Sequence, residues 1–195
     1  MRNLGNWRHL CIDMQRMFAE DTPWHVEWMD GVLPQVDELA GRFPDRTIFT
    51  RFIPPTRAED MPGAWQDYYR KWWMLTRRHM PSEMADLVPS LSRLVPPART
   101  FDKRTYSPWT KGGLHQALGA DRVETLVVTG GETDVCVLAT VLGAIELGYH
   151  VVLLSDGVCS GADGTHDAAL KLLSDRFSVQ LEVCTTQRFL SLAAG

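Results

Sequence analysis

Three residues of this chain could together do covalent chemistry. Asp13 closes the run His9–Asp13 within WRHLCIDMQRMF, Lys103 follows ARTFD at 98–102, and Cys136 lies just beyond the run Leu126–Thr129. Each of these runs reads as a short strand. A lysine ammonium beside a cysteine favours thiolate, and a nearby carboxylate can accept the thiol proton and later activate water. Asp13 and Lys103 would also stabilise each other's charged forms in a partly dry site. Taken singly, an aspartate is more often a cap or loop carboxylate, a lysine a solvated cation and a cysteine a small core residue. Their shared position, at the ends of three strands, is what favours chemistry. In a parallel sheet such ends come to one edge.

The stretch that organises the rest is LVVTGGETDVCVLATVL, residues 126–142. Its apolar, β-branched start fits a buried parallel strand. Gly130 and Gly131 then permit a tight bend. Thr133 and Asp134 are good N-caps for an apolar-periodic helix from Val135 to Leu147. Cys136 is thus expected in a first helical turn, where the helix dipole and unpaired backbone N–H groups would lower its pKa.

The elements around it follow in order. Val32–Phe43 spaces Val32, Val36, Leu39 and Phe43 as an amphipathic helix, and Arg46–Phe52 is a second strand, giving a βαβ unit. Residues 54–97 hold seven prolines and the aromatic segment AWQDYYRKWWMLTRRHM, a helical-length piece suited either to core and subunit packing or to a wall over a pocket. After the short helix Leu114–Leu118 and the strand Val123–Thr129 come a strand Val151–Ser155 and a polar loop holding Cys159. A helix Thr165–Phe177, a strand Val179–Cys184 and a closing helix Thr186–Ala193 complete the chain. Cys11 reads as core filler, and Cys159 and Cys184 lack acidic and lysine company.

The 195 residues suffice for one compact α/β domain over 1–195, and 45% hydrophobic with 23% charged residues is an ordinary globular balance. A net charge of -4 offers no basic footprint for nucleic acid. No apolar run is long enough for a membrane span, and no signal-peptide pattern precedes Trp7, so a cytoplasmic protein is expected. The four cysteines show neither CxxC nor zinc spacing, which favours reduced thiols. Lysine is scarce, with Lys71, Lys103, Lys111 and Lys171 beside sixteen arginines.

IDMQ around Asp13, DKRTYSPW around Lys103 and TGGETDVCVLAT around Cys136 resemble the signatures of isochorismatase-like cysteine hydrolases, a family that includes nicotinamidases and N-carbamoylsarcosine amidohydrolases. The resemblance covers nearly the whole chain. It implies a three-layer α/β/α, Rossmann-like fold with a six-stranded parallel sheet, and an Asp13–Lys103–Cys136 triad. It further implies a cis peptide at Gly131–Glu132, with the Glu132 and Cys136 N–H groups aimed at an oxyanion. Two departures stand out. Nicotinamidases carry an Asp-x-His metal motif after the second strand, where this chain reads TRFIPP, so no metal or other cofactor is expected. Glu132 stands where relatives often have a small apolar residue, and it could either brace the loop or enter the pocket.

The expected activity is hydrolysis of a C–N bond in a small amide, ureido or carbamoyl compound through a thioester on Cys136. Proximity to the motifs nominates Phe18, Trp24, Tyr68, Trp72, Tyr106 and Trp109 as pocket walls. The resemblance favours a homodimer or homotetramer. Rival readings are an ester hydrolase of the same fold, a non-catalytic module holding a small anion at GGETD, and a scaffold kept for oligomer contacts.

Overall fold

The computed structural model describes residues 4–193, so the domain bounds drawn at 1 and 195 lie outside the described residues. Six strands form one parallel sheet: β1 (Trp7–Ile12), β2 (Thr47–Phe52), β3 (Arg99–Lys103), β4 (Thr125–Gly131), β5 (His150–Cys159) and β6 (Leu181–Cys184). Their order is β3-β2-β1-β4-β5-β6, and the six-stranded parallel sheet is the one that the resemblance implies. The main helices are α1 (Met29–Arg42), α2 (Trp65–Lys71), α3 (Gly113–Ala120), α4 (Leu138–Glu146), α5 (Asp163–Arg176) and α6 (Thr186–Ala193). No helix among the described residues is long and apolar enough to cross a membrane.

The central strands are apolar along their whole length because both faces are covered. Leu10, Ile12, Leu126, Val128, Val151 and Leu153 point to the side packed by α3, α4 and α5. Val127, Val152 and Leu154, one residue out of phase, meet Leu39 of α1 and Phe189 and Leu190 of α6. Cys11 lies in the core below the aromatic segment, as filler.

Element bounds shift where tertiary packing overrides local pattern. Strand β4 runs through both glycines to Gly131. Strand β5 continues past Ser155 to Cys159, so Cys159 is a buried strand residue and not part of a polar loop. Lys103 is the last residue of β3, paired with Phe52 in β2. The aromatic segment is not one helix: α2 stops at Lys71, and Trp73–Leu75 forms a separate 3₁₀ turn. The chain reverses direction across the sheet between β1 and β4, which is where open α/β sheets leave a crevice at their carboxyl ends.

Two residues make the close β1–β4 contact possible. Gly130 has φ +104°, and a Cβ there would sit 2.1 Å from the Ile12 carbonyl oxygen. His9, fully buried, bridges Thr47 Oγ1 at 3.1 Å and Thr129 Oγ1 at 2.8 Å. Burial pushes its pKa from 6.5 down to about 3.

Gly130→Ala is therefore expected to cost roughly 3 kcal/mol or more of unfolding free energy, since backbone must move to admit the methyl; denaturant titration beside wild type checks this. His9 is neutral when folded and protonated when unfolded below its ordinary pKa, so the unfolded state binds more protons there and stability falls with falling pH. Between about pH 6.5 and about pH 4.5 the wild type should lose roughly 2–3 kcal/mol more than His9→Gln. Equal losses in the two proteins would remove His9 from that account.

Candidate active site

Asp13 follows β1 directly and takes a left-handed conformation with φ +51°, uncommon outside glycine. Its N–H donates to Thr50 O at 3.2 Å, and the Thr50 hydroxyl donates to Asp13 Oδ1 at 2.6 Å. Gln15, also buried, donates to Phe52 O and Ala85 O and accepts from Phe52 N at 2.6 Å. One side chain thus ties the loop after β1 to the end of β2 and to the 54–97 segment.

The Lys103 ammonium spends its three protons on Asp13 Oδ2 at 2.6 Å, Thr105 O at 3.2 Å and Cys136 Sγ at 3.5 Å. It also lies 5.1 Å from the centre of the Phe52 ring. The three groups nominated from sequence are therefore brought into direct contact, and all are buried: Asp13 is 1%, Lys103 5% and Cys136 7% exposed. Burial opposes the charge on Lys103, but the Asp13 carboxylate and the contact with Cys136 outweigh it and its pKa is raised.

The thiol corrects an expectation. Burial, followed by the Asp13 carboxylate, holds the Cys136 pKa well above the ordinary thiol value, and Lys103 pulls it down without prevailing. The anticipated pKa-lowering by a helix start is outweighed because the group is dry. The turn itself is also a π-helical one, Thr133–Val137, with α4 beginning only at Leu138.

Thr133 and Asp134 do not cap that turn, whose start carries no side-chain cap bond. Thr133 Oγ1 instead donates to Cys159 O at 3.0 Å, and Asp134 accepts from Ser160 Oγ at 2.6 Å and from Thr165 Oγ1. The Glu132 carboxylate accepts from Gly161 N at 3.1 Å, the bracing role left open by sequence, and burial raises its pKa. The Gly131–Glu132 peptide is cis. Cys159 Sγ lies 3.1 Å from where a Gly131 Cβ would be, so this cysteine packs under the bend.

The nominated aromatics separate into two places. Trp24 stacks on Phe18 at 6.0 Å and meets Tyr68 at 5.9 Å and Trp72 at 6.3 Å; Tyr68 lies 6.4 Å from Tyr106. Burial raises the pKa values of Tyr68 and Tyr106. Trp65, absent from the nominated set, joins them at 4.8 Å from Tyr106. Trp109 stands apart: its Nε1 donates to Thr140 O at 2.9 Å, and its ring stacks on Tyr149 at 5.8 Å. Trp73 is 53% exposed and faces away from the core.

The residues do not fit a metal at the place the nicotinamidase pattern has one. After β2 stand Ile53, Pro54 and Pro55, and the nearby Arg51 guanidinium is held by Asp102 at 2.7 Å. Among the described residues no three His, Cys, Asp or Glu side chains converge to hold an ion. Sequence reasoning missed Thr50, Gln15 and Thr105. Only Gln15 had a local signal, a polar residue two places past Asp13.

An isochorismatase-domain family model matches residues 9–187. Curated relatives include an uncharacterized isochorismatase family protein of Bacillus subtilis (strain 168), 27% identical over 111 residues. Isochorismatase family protein 1A of Dictyostelium discoideum is 35% identical over 92 residues. The matched stretches cover 57% and 46% of this chain, and only 57% and 45% of the two relatives. Among solved structures, a cysteine hydrolase from Pseudomonas syringae pv. phaseolicola 1448A superposes with a TM-score of 0.84 at 23% identity, covering 99% of this chain and 94% of that one. An N-carbamoylsarcosine amidase from Thermoplasma acidophilum gives 0.75 at 14% identity, over 93% and 96% of the two chains. A nicotinamidase from Bacillus subtilis gives 0.74 at 21% identity, over 90% and 98%. At these identities the structural likeness is one of fold, while the domain match takes in all three strand ends that carry Asp13, Lys103 and Cys136. The chain belongs to the isochorismatase-like hydrolase family.

Proposed function

We propose that the protein hydrolyses a C–N bond of a small amide, ureido or carbamoyl compound through a covalent thioester on Cys136. The observation that carries this reading is the buried Lys103 ammonium, which touches the Asp13 carboxylate and the Cys136 sulfur at once. Two of the similar folds, the N-carbamoylsarcosine amidase and the nicotinamidase, are by name enzymes of C–N bonds.

In the resting site the thiol keeps its proton. As Sγ attacks the substrate carbonyl carbon, Asp13 takes that proton, and the carbonyl oxygen gains negative charge held by the backbone N–H groups of Glu132 and Cys136. Each such donor is worth about 3 kcal/mol by general experience. At 3.5 Å a thiolate and an ammonium attract by about 5 kcal/mol at an effective dielectric of about 20. That attraction arises only as charge develops on sulfur, so it favours the transition state over the ground state. Collapse of the tetrahedral intermediate breaks the C–N bond, and Asp13 returns its proton to the leaving amine. Asp13 then removes a proton from water as the water oxygen attacks the thioester. The acid leaves and the thiol is restored.

The wall of Phe18, Trp24, Tyr68, Trp72 and Tyr106 suits a compact substrate with a flat or apolar body. Trp109, bonded to the carbonyl of Thr140, belongs to packing behind α4. The reading keeps metal ions out of every step.

Two experiments test this reading. A screen of small amides and ureido compounds for ammonia release should find turnover that Cys136→Ala abolishes and Asp13→Asn lowers by about 10³-fold or more. A thioester should be seen by intact-mass measurement after rapid quenching. The second is ultraviolet titration of thiolate, wild type minus Cys136→Ala. No Cys136 thiolate should be present at neutral pH, its titration should lie above the ordinary thiol range, and Asp13→Asn should move it downward. Thiolate already present at neutral pH would overturn the resting-thiol mechanism.

A further inference from the structure

Glu132, which precedes the nucleophile's π-helical turn, and Thr133 and Asp134, which open it, spend their side chains on one neighbour, the segment that leaves β5 and opens α5. Glu132 accepts from Gly161 N at 3.1 Å, and Asp134 accepts from Ser160 Oγ at 2.6 Å and from Thr165 Oγ1. Thr133 Oγ1 donates to Cys159 O at 3.0 Å and lies 2.9 Å from His166 Nδ1. His166 is buried on the inner side of α5, and the Trp28 ring meets its imidazole edge-on at 5.1 Å. The proposed mechanism uses none of these contacts.

The hydrogen count fixes their direction. A threonine hydroxyl has one proton, and that of Thr133 goes to the Cys159 carbonyl. The hydroxyl can therefore only accept from His166, so Nδ1 carries a proton in the neutral ring as it would in the charged one. Thr133 is in turn held from two sides, by a donor on α5 and an acceptor at the end of β5. Cys136 lies three residues further along the same π-helical turn.

We infer that His166 is a positioning residue for Cys136: its Nδ1–H locks the Thr133 hydroxyl onto β5 and so fixes the turn that presents the sulfur to Lys103 and Asp13. The inference rests on the reading of Cys136 as nucleophile for its kinetic consequence, and on geometry alone for its structural one. A displacement of about 1 Å at a reacting atom costs on the order of 10²-fold in rate. The aromatic wall lies on other elements, so substrate binding should be little changed.

The test compares His166→Phe, His166→Asn and His166→Gln with wild type, using two readouts. The first is amide hydrogen exchange of residues 131–137, which needs no substrate. His166→Phe should raise exchange about tenfold there and leave β1 and β2 protected. His166→Asn, whose amide N–H falls near the position of Nδ1, should restore protection, and His166→Gln, whose amide reaches toward Nε2, should not. The second is turnover of an amide found in the screen: kcat should fall about 10- to 100-fold in His166→Phe with KM within about twofold, and recover in His166→Asn. Unchanged exchange in 131–137, a rise spread evenly over the sheet, or equal behaviour of the Asn and Gln variants would overturn the inference. Should His166→Phe fail to fold, the Asn–Gln contrast decides it alone. Changed exchange in a protein with no amide turnover would sink the proposed activity and leave the clamp standing. Turnover lost in Cys136→Ala but intact in His166→Phe would do the reverse.

Discussion

A buried ammonium with every proton accounted for is the constraint on which the site depends. Lys103 is held by the Asp13 carboxylate, the Thr105 carbonyl and the Cys136 sulfur, and it is nearly inaccessible to water. A charge in that position is tolerable only with a partner of opposite sign and complete hydrogen bonding, and removing one member of such a pair typically costs about 3–5 kcal/mol. The ends of β1 and β3 must therefore stay in register across the intervening β2. The register is supplied by Thr50, whose hydroxyl donates to Asp13, and by Gln15, which bonds both atoms of the Phe52 peptide edge.

The same constraint explains the state of the thiol. Drying the site strengthens the grip of Lys103 on Asp13, but it also penalises any additional negative charge, and Asp13 already occupies the near side of the ammonium. The Cys136 pKa is consequently held above the ordinary thiol value. In the proposed mechanism charge separates only at the moment of attack, when the ammonium 3.5 Å away would stabilise it.

Close backbone approach makes this compactness possible. Gly130 lets β4 press against β1 where a methyl group would strike the Ile12 carbonyl, and Gly131 leaves room for the Cys159 sulfur. The strand bearing the acid and the turn bearing the thiol thereby meet at the point where the sheet reverses its winding. The segment after β2 then closes over them. Its prolines interrupt regular structure, so the aromatic rings come from several short pieces and not from one helix. Trp65 and Tyr68 point inward to Tyr106, whereas Trp73 turns out.

Burial on both faces makes parallel strands read as unbroken apolar runs, and for that reason most strands were legible from residues alone, whereas their order in the sheet was not. Asp13 and Lys103 stood out for a related reason, as polar residues at the ends of such runs, and Cys136 by its place shortly after the glycine bend that follows one. The sequence by itself thus determined the fold class, the strand ends that converge and the chemical identity of the groups they carry. Contacts between residues 26 to 120 positions apart were not legible, because no local pattern encodes them. Thr50 under Asp13, His9 between Thr47 and Thr129, and Thr133 held by His166 and Cys159 all belong here. The raised pKa of Cys136, the bracing role of Glu132 and the separation of Trp109 from the other rings likewise depended on how much water the folded chain excludes and which neighbours it supplies. Those were decided only by the tertiary structure, since desolvation and long-range hydrogen bonding exist only once distant segments are packed together.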